Sequence, residues 1–187
     1  YQKMHEFVSE RFDLTRVLEL LKDKSRSHLL EISGKSGSGK SYLIKPIISA
    51  LQGSYSQIAY FSPHPLYFNH FPELLRIFTG LESEKLNEYY EEHFAKYHTG
   101  KKYDFFYFLT EQLLQNELLR EMVLIVDDCD VLDEYSRDFL QYVVQYASDA
   151  SIQIVVLSQE RLFPFSIVEN LPSLGAEDIQ KLLGSIF

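Results

Sequence analysis

The sequence predicts a three-layer α/β/α sandwich built on a parallel sheet, and three observations predict it. Short, almost wholly apolar runs recur along the chain, segments of helical period separate them, and a glycine-rich loop joins the first run to the helix after it. A strand apolar along its whole length is buried on both faces, which requires a sheet with helices on each side. The 187 residues, 45% hydrophobic, suffice for one such domain with a full core and leave little room for a second. Residues 1–187 therefore read as one domain. Within it, 27–61 carry the first strand, the glycine loop and the second strand; 71–119 form a helical insertion between the second and third strands; 122–171 carry the later strands; 176–187 start a further helix. Because the chain opens on Tyr1 and stops inside a helical pattern, it is expected to be a piece of a longer protein.

Each element has its own signal. From Asp13 to Lys24, Leu14, Val17, Leu18 and Leu21 fall at helical spacing. His28 to Ser33 is short, apolar and closed by Gly34, a buried strand. A helix is expected from Gly39 to about Leu51, kinked at Pro46, which lacks an N–H and crowds the preceding turn. Gln57 to Phe61 is the second strand, ended by Ser62-Pro63-His64-Pro65. Three helical pieces follow, Phe71 to Leu81, Ser83 to His98 and Asp104 to Leu119, punctuated by Gly80 and Thr99-Gly100. Met122 to Val126 is the next strand, Glu134 to Ala147 a helix, Ile152 to Leu157 a strand, Ile167 to Leu171 a weaker one, and Ala176 to Phe187 a last helix.

Composition excludes several classes. A net charge of −9 and a pI near 5.1 oppose a broad face for nucleic-acid phosphates, which needs clustered Lys and Arg. There is no apolar run of membrane-spanning length and no basic-then-apolar N-terminus, so a cytoplasmic domain without membrane or direct nucleic-acid partners is expected. Cys129 has no second cysteine to pair with and reads as a small buried residue at a strand end. The 14 Phe and 13 Tyr include the run Tyr103-Asp104-Phe105-Phe106-Tyr107-Phe108, more than one helix face buries; the surplus is expected to meet other domains. His93 and His98 stand five apart and share no helix face, Glu88, Glu91 and Glu92 read as a solvated face, and no metal-binding histidine spacing emerges.

The chemistry is concentrated in Gly34-Lys35-Ser36-Gly37-Ser38-Gly39-Lys40-Ser41, which matches G-x-x-x-x-G-K-[ST] without a mismatch. A chain of this length shows that pattern by accident on the order of one time in a hundred. The match follows a buried strand and opens a helix, where successive backbone N–H groups point at one phosphate. Glycines let the backbone wrap the phosphate and reach positive φ. Lys40 is expected to reach the β and γ oxygens, Ser41 to ligate Mg2+, and Tyr42 to complete the set of residues around the nucleotide.

Five apolar residues of the strand Met122 to Val126 deliver Asp127 and Asp128 to its C-terminal end, where open parallel sheets bind ligands. Asp127 is expected to hold Mg2+ through its water shell, and Asp128 to polarise the attacking water. Ser158 and Gln159 end the strand Ile152 to Leu157; if that strand neighbours the acidic one, they face the γ-phosphate or the water. The catalytic set is thus Lys40, Asp128 and Ser158, and the cofactors are ATP and Mg2+. The lack of an N-K-x-D base-reading motif favours ATP over GTP.

These residues resemble the AAA+-like and STAND-type regulatory ATPases, over most of the chain. Phe7-Val8-Ser9-Glu10 with Leu14 is similar to that family's opening; Asp127-Asp128 with Asp133 and Ser136 to its extended acidic motif; Asn170-Leu171, Ala176-Glu177-Asp178 and Leu182-Leu183 to its closing stretch. The resemblance implies a five-stranded P-loop NTPase sheet of order 5-1-4-3-2, ATP held between this core and a helical lid starting at 176–187, and a nucleotide state that sets the arrangement of attached domains. Two positions depart from the pattern. Ser9-Glu10 stands where the family has G-R, and Glu160 stands where it often supplies a phosphate-sensing arginine, with Arg161 one residue further on. An arginine finger can be worth about three to five orders of magnitude in turnover, so weak ATP hydrolysis by this chain alone is expected.

The leading expectation is an ATP-dependent switch whose partners are nucleotide, other domains of the same chain, other proteins and copies of itself. The alternatives are a small-molecule kinase, against which stands the poverty of arginine between Phe71 and Leu119, and a nucleotide-binding scaffold without hydrolysis, for which Asp128 would have no use. An ABC-transporter ATPase is disfavoured by the lack of an L-S-G-G-Q-like signature.

Overall fold

The computed structural model describes residues 14–35, 39–79, 88, 102–115, 117–147 and 149–170. Helix α1 (Leu14–Lys22) buries Leu14, Val17 and Leu21 along one stripe, with Lys22 in the last turn complementing the helix dipole. Strand β1 (His28–Ser33) is buried at every position, as expected of a central strand. β2 (Gln57–Phe61), β3 (Glu121–Val126), β4 (Ser151–Ser158) and β5 (Ile167–Asn170) complete a sheet of order β2-β3-β4-β1-β5. Every pairing is parallel. Read from the other edge this is the order 5-1-4-3-2 implied by the resemblance, and it brings the ends of β1, β3 and β4 side by side.

The helix after the glycine loop differs from expectation. A 3-10 turn, Lys40–Leu43, precedes helix α2 (Ile44–Leu51), whose first amide bonds back to the Ser41 carbonyl. Pro46 is the third residue of α2, inside the first turn, where a missing N–H costs little. The chain therefore breaks before Pro46 instead of kinking at it.

The last helix of the insertion ends earlier than its apolar pattern. Helix α3 spans Phe71–Thr79 and α4 spans Lys102–Leu114, with a separate 3-10 turn at Glu117–Leu119. Of the expected helix Ser83 to His98, only Glu88 is among the described residues; it is helical and exposed. The opening Phe7-Val8-Ser9-Glu10 and the expected helix Ala176 to Phe187 lie outside the described residues. Helix α5 (Glu134–Tyr146) starts at Asp133, whose side chain accepts from the Ser136 amide at 3.0 Å. That is an N-cap worth about 1 kcal/mol.

Alternate residues along each strand feed two cores, one per sheet face. Leu30, Ile32, Val123, Ile125, Val155 and Leu157 pack with Val17 and Leu21 of α1 and Ile47 and Leu51 of α2. Leu124, Val126, Ile154 and Val156 pack with Phe71 and Phe78 of α3, Phe105 and Phe106 of α4, and Phe139 of α5. The aromatic run of α4 is divided as its surplus suggested: Phe105 and Phe106 are buried, while Tyr103 and Tyr107 are each 60% exposed.

Candidate functional site

Local geometry at the end of β1 begins with a tie to β4. The Gly34 amide donates to the Ser158 carbonyl at 3.1 Å, continuing the pairing in which Ser33 lies opposite Ser158. The mouth of the glycine loop is thereby fixed to the end of the central strand. Ser36, Gly37 and Ser38 lie outside the described residues. Gly39 sits at φ 95°, a left-handed conformation in which any Cβ would be strained, so glycine is required there.

Lys40 folds back on its own loop. Its Nζ donates to the Gly34 carbonyl and, at 3.1 Å, to the Lys35 carbonyl. Partial burial depresses its pKa, opposed by the charges of Asp130, Asp127 and Asp128 in that order. The fold has thus placed three carboxylates within electrostatic reach of the loop lysine. Ser41 is exposed. The Tyr42 amide donates to the Gly39 carbonyl at 3.1 Å, and its ring packs against the core beneath α1 and α2, so its side chain serves packing.

The acidic segment is held from two sides. The Asp127 amide donates to the Phe61 carbonyl at 2.9 Å, extending β3 along β2 by one residue. Asp127 Oδ1 accepts the Asp128 amide at 2.9 Å and Oδ2 accepts the Tyr60 hydroxyl at 3.0 Å. Burial, and then the bond to Asp127, raises the Tyr60 pKa and keeps the phenol protonated. Asp128 takes φ 47°, left-handed. Partial desolvation and then the negative charges of Asp127 and Asp130 raise its pKa, the direction that makes a carboxylate a better proton acceptor. Next, Asp130 Oδ2 accepts the Gln159 amide at 2.8 Å, tying this segment to the end of β4. Cys129 is fully buried, which pushes its thiol pKa up.

Ser158 ends β4 opposite Ser33 of β1 and two residues beyond Val156, the partner of Val126 on β3. It is buried, and its hydroxyl donates to the Glu160 carbonyl at 2.7 Å. Arg161 is committed to its own turn: Nε donates to the Phe163 carbonyl at 3.3 Å and a terminal nitrogen to Pro164 at 3.1 Å. Glu31, wholly buried in β1, anchors the same turn by accepting the Leu162 amide at 2.8 Å, the Phe163 amide at 3.0 Å and the Ser166 hydroxyl. Asp133, grouped by the resemblance with the acidic motif, caps α5 and accepts the His70 amide at 2.9 Å.

Sequence reasoning missed Tyr60, Asp130 and Glu31. Glu31 carried a signal, a charge inside an otherwise apolar strand, which demands buried partners. Tyr60 and Asp130 carried none, because their partners are 67 and 29 residues away in the chain. Among the described residues no group of three His, Cys, Asp or Glu side chains could hold a metal ion. A hard cation here would be bound by one carboxylate, a hydroxyl, phosphate oxygens and waters, the donor set magnesium uses at phosphate sites.

The fold and this geometry can be set against known proteins. Residues 10–159 match the family described as Nephrocystin 3, N-terminal. The chain belongs to that family. Solved structures share the fold. RuvB from Thermotoga maritima is 20% identical with a TM-score of 0.52, over 95% of this chain and 48% of RuvB. The Drosophila ORC bound to DNA is 15% identical with a TM-score of 0.55, over 99% of this chain and 49% of its own. A STAND protein with a tetratricopeptide-repeat sensor from Pyrococcus horikoshii is 18% identical with a TM-score of 0.51, over 92% of this chain and 25% of its own. This chain therefore spans about half or less of each neighbour. No curated protein matches it. These solved structures share with this chain the three-layer α/β/α P-loop fold. Among the described residues no helix is long and apolar enough to cross a membrane.

Proposed function

We propose that this Nephrocystin 3 N-terminal family domain binds ATP with Mg2+ and acts as a nucleotide-dependent switch within a larger protein. The observation that carries this reading is the convergence of Lys40 with Asp127, Asp128 and Asp130 beyond the C-terminal ends of β1 and β3, the two strands that flank β4. Residues 34–42 would surround the phosphates; Lys40 would exchange the Gly34 and Lys35 carbonyls for phosphate oxygens, and Ser41 and Asp127 would hold the metal. Bound Mg2+ would supply neutralisation of the phosphate charge. Asp128, with its raised pKa, is suited to accept a proton from water, and Ser158 would join it only by releasing Glu160.

The remaining assignments follow the same reading. Residues 1–187 form one domain with the lid beginning at 176–187, working in the cytoplasm with protein partners, further domains or copies of itself. The ORC neighbour is bound to DNA, but a net charge of −9 opposes that role here. Arg161, engaged by two carbonyls, favours a second reading in which the domain binds nucleotide and turns it over only when another molecule supplies an arginine.

Fluorescent ATP titrated into the protein with and without Mg2+ tests the site. Mg2+-dependent binding that Lys40→Ala abolishes is expected; no binding by the unmutated protein refutes it. Asp128→Asn should leave binding intact and lower any hydrolysis by about 100-fold to 10,000-fold.

A further inference from the structure

We infer that Tyr60 is a positioning residue for the metal-holding carboxylate of Asp127. The inference rests on the site proposed above and adds a residue that no motif contains. Tyr60 lies on β2 opposite Ile125 of β3, and the strand alternation that sends Phe61 and Val126 to the aromatic core sends Tyr60 and Asp127 to the opposite face, the side of the glycine loop. There its hydroxyl donates to Asp127 Oδ2 at 3.0 Å. In that bond the tyrosine is the donor and the carboxylate the acceptor, so the phenol proton is directed to Asp127.

The consequence lies in the orientation of Asp127. Its Oδ1 takes the Asp128 amide at 2.9 Å and its Oδ2 takes Tyr60, so two donors fix the plane of the carboxylate. Each oxygen keeps a further acceptor site, which would be held in a fixed orientation for the water shell of a cation. A free carboxylate would have to lose that rotation on binding. Outer donors of this kind commonly carry 10-fold to 100-fold in metal affinity. At 48% exposure the ring is not a core anchor, and Tyr60→Phe keeps its packing while removing only the donor.

The test is a Mg2+ titration of fluorescent-ATP binding by the full-length protein, Tyr60→Phe, Asp127→Asn and the double variant. Tyr60→Phe is expected to raise the Mg2+ midpoint by about 10-fold to 100-fold, to leave Mg2+-free nucleotide affinity unchanged, and to add nothing in the Asp127→Asn background. An unchanged midpoint overturns the inference while the site stands. So does an equal loss without Mg2+, which would put Tyr60 on the nucleotide and not on Asp127. If the unmutated protein shows no Mg2+-dependent binding, the proposed site fails and this inference with it.

Discussion

On one face of the sheet, Val17, Leu21, Ile47 and Leu51 from α1 and α2 lie against Ile32, Val123, Ile125 and Leu157. On the other, α3, α4 and α5 bring Phe71, Phe78, Phe105, Phe106 and Phe139 against Leu124, Val126, Ile154 and Val156. The face that borders the glycine loop is mainly aliphatic, and its contacts impose no preferred ring geometry. The aromatic face is directional: Phe139 meets Phe71 at 5.3 Å and 86°, Phe78 at 5.7 Å and 86°, and Phe106 at 5.2 Å and 61°. Edge-to-face pairs add about 0.5–1.5 kcal/mol each beyond burial. The exposed rings of Tyr103, Tyr107 and Tyr146 are also on α4 and α5. The difference teaches that the two faces divide the labour: directional ring packing is concentrated on the face away from the glycine loop, and the face beside the loop is filled mainly by aliphatic side chains.

Phe139→Ala is the strongest way to break that division. It should cost about 3–5 kcal/mol in urea unfolding, against about 0.5–1.5 kcal/mol for Ile47→Val on the other face, while nucleotide affinity of the folded protein is retained. If Phe139→Ala abolished nucleotide binding under folding conditions, the faces would not be separable. Glu31→Ala comes next. It strands the half-buried Leu162 amide and the buried Phe163 amide, the latter costing about 1–3 kcal/mol when unsatisfied, and should loosen the turn at 161–166, read as faster amide exchange there.

Asp133→Ala should cost about 1 kcal/mol as a lost cap, and it adds a pH signature to the aromatic face. Burial alone would raise the Asp133 pKa, but donors from His70 and Ser136 outweigh it and hold the carboxyl below its ordinary value. A carboxyl depressed in the folded state stabilises the protein above its unfolded pKa and loses that contribution as pH falls through the folded one. Stability curves of the wild type and Asp133→Asn should therefore converge in acid; parallel curves would show that the cap does not titrate. The smallest effect is at Lys102, whose Nζ meets Asp138 at 2.6 Å with both side chains about one-third exposed. Lys102→Ala should cost about 0.2–1 kcal/mol, shrinking with salt.

Much of this was legible before folding. The five strands declared themselves as apolar runs, and the loop from Gly34 to Ser41 as a motif, because burial and phosphate geometry act on neighbours in sequence. The kink expected at Pro46 was misplaced because the residue that kinks a helix interior is harmless in a first turn, and only the fold decides where that turn falls. Asp133 was grouped with the acids it follows, whereas its carboxylate belongs to α5. Tyr60, Asp130 and the turn gripped by Glu31 were invisible because each depends on strands brought together from distant parts of the chain.

The left-handed backbone at Asp128 sets stability and chemistry against each other. A residue with a Cβ sits there at a cost of about 1–2 kcal/mol, eased for Asp by its short polar side chain. Glycine would fit the conformation without strain but would delete the carboxylate. A screen for heat-resistant variants should therefore recover Asp128→Gly, and the more robust protein it yields would have given up a carboxylate whose raised pKa suits it to accept a proton.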